Sequence, residues 1–282
     1  MTSENDIFVN LNREDIAKLK EIYRGVEHAR VVLPFLDVAE TWFGGSELII
    51  TSPGDAWKKD GSIVVFMDIG VAAIFLFSLD DTIERICDGL LKTTRIDPGK
   101  SFYFLNVLDR SIDVILKVIQ KMGRKIEMNN ENFLYTMNID KAKSLKVECP
   151  PEVHVGRLKE EHAEQIDRVW PHRFEGSINF VRGWLAKNVG FGLFLKENDQ
   201  LVSWVMQGVW GHMNLLQTEE KYTRRGYANV MLMTITKYLA EQGQTPVATV
   251  LTRNSASNNL FKKQGFETNT KSYFILVSQC VL

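Results

Sequence analysis

The stretch MNLLQTEEKYTRRGYANVMLMTITKYLAEQ, residues 213–242, decides how this chain is read. It opens with a run of strand length, Met213 to Thr218, and closes with a helix through Gln242. In that helix Ala228, Met231, Leu232, Ile235 and Leu239 recur at i, i+3, i+4, i+7 and i+11, one apolar face, and Gly243 follows as a stop. Between the two lies TRRGYA, Thr223 to Ala228. A chain that turns from strand into helix there leaves several backbone N–H groups unpaired at the positive end of the helix dipole, a ready site for phosphate. Gly226 lets that backbone come close to a ligand, and Arg224 and Arg225 add positive charge suited to a pyrophosphate or a 3′-phosphate. Taken alone, a capped helix with surface arginines explains the segment equally well.

Working outward, the residues before it read as a strand (Val153 to Arg157), a helix (Glu160 to Val169), a loop around Pro171 and a helix (Asn179 to Ala186). Two strands follow, Phe191 to Lys196 and Leu201 to Gln207, joined by the turn ENDQ, and a second turn sits at Trp210-Gly211. After the long helix come a buried-type strand (Pro246 to Leu251), a helix (Asn254 to Lys263) capped by Asn254 or Ser255 with Gly265 behind it, and a last strand near Ser272 to Val277. The first half predicts a helix over Asn12 to Val26, then a punctuated region, TWFGGSE and TSPGDAWKKDGS, framing short β-rich runs. Strands are expected at Ile63 to Met67, Val71 to Phe77 and Ser101 to Leu108, and helices at Asp81 to Leu91 and Ser111 to Met122, with Gly123 placed like a C-cap. The class is α+β. The Lys/Ser stretch ending in Pro-Pro, Asp140 to Glu152, divides the chain into residues 1–145 and 146–282.

Composition narrows the function classes. With 282 residues, 45% of them hydrophobic and 24% charged, the chain buries real cores and suits two domains or two halves of one body. A net charge of −1 without a basic tail is poor footing for a nucleic-acid binder. Three scattered cysteines, Cys87, Cys149 and Cys280, indicate neither a disulfide framework nor a metal site, and fit a reducing compartment. The stretch Ile63 to Leu79 is broken by Asp68 and too short beyond it to span a bilayer, so no membrane partner is expected. The N-terminal MTSENDIFVN has two acids and no base, unlike a cleavable signal or transit peptide. HExxH, GxSxG, Walker and GxGxxG patterns are absent, so metalloprotease, serine hydrolase, P-loop and Rossmann readings lack support.

The element order from Val153 to Val277 resembles an acetyltransferase of the GNAT superfamily. The acyl-CoA loop of that superfamily, Q/R-x-x-G-x-G/A, is matched by Thr223-Arg224-Arg225-Gly226-Tyr227-Ala228. Its N-x-x-A-x-x-L-Y-x-x-x-G-F signature is matched in register by Asn254, Ser257, Leu260, Phe261, Gly265 and Phe266. The segments KEEHAEQIDRVW, LVSWVMQ and TEEKYTRRGYAN look most like the glycine N-acyltransferase group. The resemblance implies the GNAT fold, a mixed central sheet flanked by helices, with residues 1–145 as a degenerate copy or accessory module. It also implies an N-acyltransferase that moves an acyl group from acyl-CoA or acetyl-CoA, the co-substrate, to a small amine such as glycine or another amino acid. A cytoplasmic location is expected; the resemblance also allows the mitochondrion.

The site residues follow from that resemblance. Leu216, Gln217 and Thr218 would pair with the pantetheine amides as an added strand does. The amides of Arg224, Arg225, Gly226, Tyr227, Ala228 and Asn229 would carry the pyrophosphate, and Asn254 and Asn258 would touch the pantetheine or cap the last helix. His172 and Arg173 lie where the superfamily builds its acceptor pocket, Arg173 to clamp a carboxylate and His172 to take a proton; surface loop residues are the competing reading. Three departures stand out. Thr223 replaces the first Arg or Gln of the loop. Phe261 replaces the Tyr that many members use as acid, leaving a thiolate of pKa near 8.5 to depart unaided. Lys221 stands where the glycine N-acyltransferase group commonly has a Glu base, which leaves Glu220, acting through water, as the catalytic candidate. His154, His162 and His212 read as fold residues, and Trp204 and Trp210 as core or pocket wall. Two other classes compete: a non-catalytic acyl-CoA-binding or sensing protein, and an interaction module on the same scaffold.

Overall fold

Ile63, Val65 and Met67 turn to one face of a sheet and Val64 and Phe66 to the other, and helices cover both faces; this is why the stretch reads as nearly continuous apolar sequence. The computed structural model describes residues 6–45, 47–68 and 70–280, apart from the side chain of Asn269. Ile69 and Met1 to Asn5, on which the membrane and targeting expectations partly rest, lie outside the described residues.

The first half runs β1 (Phe8–Asn10), α1 (Arg13–Tyr23), α2 (Leu33–Trp42), β2 (Leu48–Pro53), α3 (Trp57–Asp60), β3 (Ile63–Asp68), β4 (Ala72–Phe77), α4 (Glu84–Lys92), β5 (Phe102–Leu108), α5 (Ile112–Lys121) and β6 (Ile126–Thr136). A short α6 (Ile139–Lys143) leads into β7 (Val153–Arg157), α7 (Ala163–Val169), α8 (Ser177–Lys187), β8 (Gly190–Leu195), β9 (Leu201–Gln207), β10 (Met213–Thr218), α9 (Tyr227–Glu241), β11 (Val247–Leu251), α10 (Ser255–Lys263) and β12 (Glu267–Val277). Without the one-turn α3 and α6, both halves have the order β-α-α-β-β-β-α-β-α-β. The fold is a mixed α+β sheet flanked by helices, built twice.

The two copies share one sheet, in the order β1-β2-β3-β4-β5-β12-β6-β11-β10-β9-β8-β7. Their last strands are exchanged. β6 of the first half pairs antiparallel with β11, and β12 of the second half pairs antiparallel with β5, while β6 and β12 pair with each other at the centre. On one face α1 and α2 of the first half and α7 and α8 of the second join a single apolar cluster that runs from Ile16, Leu36 and Phe75 to Ile166, Trp184 and Trp204. On the other face α4 and α5 cover the first half, and α9 and α10 the second, as separate clusters.

Local chemistry explains most boundaries. Asn12 caps α1 through a reciprocal capping box with Asp15, so the predicted helix starts at Arg13, and it ends at Tyr23 rather than Val26. Asn254 accepts from the Ser257 N–H and caps α10. The short β1, α3 and α6 escape the sequence pattern, and so do two longer elements. Helix α2 is apolar except for Asp37, Glu40 and Thr41, because its remaining sides are buried, and β6, IEMNNENFLYT, carries polar residues of poor strand propensity that pairing on both sides holds extended. The last strand likewise begins at Glu267, ahead of the expected Ser272.

Candidate functional site

The site forms where the sheet opens in the second half. Strands β10 and β11 run parallel and are in register at Met213 and Ala248. Beyond that point the β9–β10 register shifts between Asn214 and Gln217, and Leu215 takes a left-handed φ of +49°, a bulge that bends β10 away. Ser203 Oγ donates to the Gln217 carbonyl at 2.8 Å, so that carbonyl faces β9. Because main-chain groups alternate along a strand, the groups left facing the splay are those of Leu216 and Thr218, two of the three residues the sequence pointed to. In the first half the equivalent parallel pair stays together, with Ala73, Ile74 and Phe75 registered on Tyr103, Phe104 and Leu105.

From the end of β10 the chain passes through a single turn, Glu220–Tyr222, to Gly226, the N-cap of α9, at φ +81°. No side chain caps this helix. Its first N–H groups therefore face outward with the positive end of the dipole behind them. A Cβ placed on Gly226 would have nothing within 4 Å, so the cradle in front of the helix is open. Arg224 also adopts a positive φ, +63°, a conformation costing a non-glycine residue on the order of 1 kcal/mol. Lys221, Arg224 and Arg225 are exposed, and Tyr222 holds two of them, with Lys221 Nζ 4.8 Å and the Arg225 guanidinium 5.2 Å from its ring centre. Tyr227 is buried and donates to Glu152 Oε1 at 2.9 Å, tying the first turn of α9 to the segment ahead of β7; burial, reinforced by Glu152, pushes its phenol above the usual range. The Asn229 Oδ1, one turn into the helix, is buried with no partner.

The corresponding place in the first half is closed to an anion. Helix α4 starts after Ile83, at φ +46°, with Asp80, Asp81 and Glu84 around its N-terminus. Arg110 occupies the approach: it pairs with Asp81 Oδ1 at 2.7 Å and donates to the Ser78 carbonyl at the end of β4.

The other residues named from sequence lie as follows. The Asn254 side chain caps α10, and Asn258, buried, donates to the carbonyls of Leu251 and Thr252 at 3.0 and 3.1 Å while accepting from Tyr135, so both amides serve the fold. Phe261 is buried against Tyr135 and Phe266. Glu220 is exposed, whereas Glu219 turns inward and accepts from Gln165 at 2.7 Å and Arg168 at 3.1 Å. This ion pair lines an open polar groove of about 560 Å³ together with Glu161, Gln200 and Lys221. His172 and Arg173 are exposed on the loop between α7 and α8, while their neighbour Phe174 turns in against Trp170 and Phe180. His154 bonds Asp199, and His162 closes the turn ahead of α7.

The first half packs directly against these elements, which no short-range signal in the sequence could show. Gly70, in the β3–β4 turn, lies against Phe174. Trp42 Nε1 donates to Asn188 Oδ1 at 2.9 Å, and Gly211 abuts the Pro34–Phe35 backbone so closely that any Cβ would collide with it. Next to it His212 Nε2 meets the Val31 carbonyl at 3.0 Å, with Nδ1 unpartnered; burial pushes its pKa down to about 4, the Val31 bond opposing. Among the described residues no three His, Cys, Asp or Glu gather as a metal site would require, and no helix is long and apolar enough to cross a membrane.

A family model described as FR47-like protein matches residues 190–275, the part of the chain that holds the splay, the loop and α10. The whole chain superposes on the X-ray structure of a Drosophila protein with a TM-score of 0.87 at 19% identity, covering 98% of this chain and 100% of that one. It also resembles a tandem GNAT protein from the clavulanic acid biosynthesis pathway (TM-score 0.57, 9% identity, 98% and 99% covered). A GCN5-related N-acetyltransferase from Sphaerobacter thermophilus is similar over 99% of this chain and 98% of its own, with a TM-score of 0.56 at 12% identity. No curated protein matches the sequence. The chain has the GNAT fold in tandem.

Proposed function

We propose that this protein is an acyl-CoA-dependent N-acyltransferase, with residues 146–282 holding the donor and a small amine, glycine or another amino acid, as acceptor. One observation carries the reading: of two copies of the same fold, only the second opens its sheet at the parallel pair and surrounds the helix N-terminus behind it with exposed cations, where the first has Asp80, Asp81 and Glu84. Acyl-CoA would lie in the splay with its pantetheine against the Leu216 and Thr218 main chain and its pyrophosphate on the amides of Arg224 to Asn229. The unpaired Asn229 Oδ1 offers the donor's amide and hydroxyl groups an acceptor. Arg173 and His172, exposed on the loop between α7 and α8, would meet the acceptor, and Glu220, also exposed, would take the amine proton through water. The three free thiols, Cys87, Cys149 and Cys280, suit a reducing compartment, the cytoplasm.

A second reading, an acyl-CoA sensor, draws on the buried Phe261 and the exposed Glu220, which leave no acid or base in direct reach. Titration with CoA, acetyl-CoA and an aromatic acyl-CoA, followed by thiol release in the presence of amines, separates the readings. Saturable binding with release supports the transferase; binding without release for any amine supports the sensor. No binding of any of the three removes both and leaves an interaction scaffold.

A further inference from the structure

Two buried polar atoms lie on neighbouring strands beside the bulge without a hydrogen-bond partner in the protein. Gln217 and Trp204 are directly opposite in the β9–β10 ladder, so their side chains share one face of the sheet, the face covered by α7 and α8. Trp204 is fully buried and its indole Nε1–H has no acceptor. The Gln217 Oε1 is buried and has no donor. The orientation of the Gln217 amide is fixed, because its other end meets the Val169 carbonyl at 2.9 Å and a carbonyl accepts only from the Nε2 side. The pair therefore presents one acceptor and one donor two residues beyond Leu215, where β10 leaves β11. Buried polar atoms in native proteins are nearly always satisfied, and a complementary ligand satisfies both.

We infer that Gln217 Oε1 receives an N–H of the acceptor amine and aims its lone pair at the thioester, while the Trp204 indole N–H receives an oxygen of the same acceptor. This rests on the acyltransferase reading above. It narrows the acceptor to amines that carry a carboxylate or carbonyl close to the nitrogen. The donor enters from the α9 side of the sheet and the acceptor from the α7–α8 side, so the two meet across the splay. The amine nitrogen bonds to the thioester carbon, the carbon–sulfur bond breaks, and the proton shed by nitrogen passes through water to Glu220 and from there to the departing sulfur. An amide takes no proton, so the amine must arrive neutral. The charged groups flanking Val169, which the Gln217 amide bonds, are otherwise engaged: Asp167 accepts from Ser177 and Arg168 pairs with Glu219, while His172 and Arg173 are exposed on the loop that follows.

The test uses the full chain with acetyl-CoA, and glycine and methylamine as nucleophiles, in wild type, Gln217→Leu, Gln217→Glu and Trp204→Phe. CoA affinity by calorimetry is expected to stay near wild type in all four. Gln217→Leu should lose about tenfold or more in kcat/KM with both amines. Gln217→Glu, now able to accept the proton, should carry activity to lower pH than wild type. Trp204→Phe should reduce the preference for glycine over methylamine. Wild-type rates and pH profiles in both Gln217 variants at intact CoA affinity overturn the assignment, as does CoA binding without release for either amine. Absence of CoA binding by the wild type overturns the donor site and the assignment with it.

Discussion

At the scale of single residues, two positions carry sharp consequences. Gly226 sits at φ +81° with open space around it, so a β-branched residue there clashes with nothing but is strained by on the order of 1–2 kcal/mol and fills the cradle. Gly226→Val is expected to keep the fold by circular dichroism and to lose CoA affinity by about tenfold or more, roughly 1.4 kcal/mol. Retained affinity would remove the loop from the donor site. His212 reports instead on the contact between halves. Its folded-state pKa, about 4, lies below the usual 6.5, so the unfolded chain binds more protons between those values and the fold is penalised as pH falls through them. Stability should drop by up to about 3 kcal/mol across that window, a loss that His212→Gln abolishes in denaturant titrations at pH 7 and pH 4. Equal slopes in the two proteins would show that the histidine titrates normally. Gly226 and the two arginines are legible in the sequence because the helix that follows is so regular; the burial of His212 is not, because its partner Val31 is 181 residues away.

At the scale of elements, the pattern of apolar residues finds most of the longer strands and helices, and fails where the contrast between the two sides is slight. Helix α2 marks its period with only Asp37, Glu40 and Thr41 in an otherwise apolar run, and β6 breaks its alternation at Asn129, Asn130 and Glu131. The site suffers from the same limit in another form. Asn254 and Asn258 match a signature by spacing alone, yet the spacing cannot tell a ligand contact from a cap. The observed bonds favour the cap. Asn254→Ala should therefore cost about 1 kcal/mol of stability by thermal or denaturant unfolding while leaving CoA affinity unchanged. A CoA affinity that falls with a stability that does not would reverse that assignment. The bulge at Leu215 was equally invisible, since MNLLQT reads as an unbroken strand; its effect is to turn Gln217 and Trp204 into neighbours at the mouth of the opening.

For the whole molecule, duplication with exchange of the last strands is the governing fact. A fragment of residues 146–282 would lack β6, leaving β11 and β12 with open edges and β12 without β5. Such a fragment is expected to be insoluble alone and to be recovered as a soluble complex with residues 1–145; a soluble, folded, CoA-binding fragment would show that the halves are independent. The intact chain should bind one CoA, not two, because Arg110 and its acidic neighbours occupy the approach in the first copy. The duplication is hidden in the sequence because each copy keeps the element order while replacing the residues that would reveal it: TRRGYA, with Gly226 the cap of α9, is matched in the other copy by DDTIER, Asp80 to Arg85, with Ile83 the cap of α4.

The exchanged strands also set a timetable for synthesis. Strand β5 leaves the ribosome with its edge, Phe102 to Leu108, unpartnered, and the strand that covers it begins only at Glu267. At about 5–20 residues per second, translation keeps that edge bare for on the order of ten to thirty seconds. During that interval the nascent chain is a half-finished sheet that any extended segment can join, and its need for a chaperone is greatest before its own last strand exists.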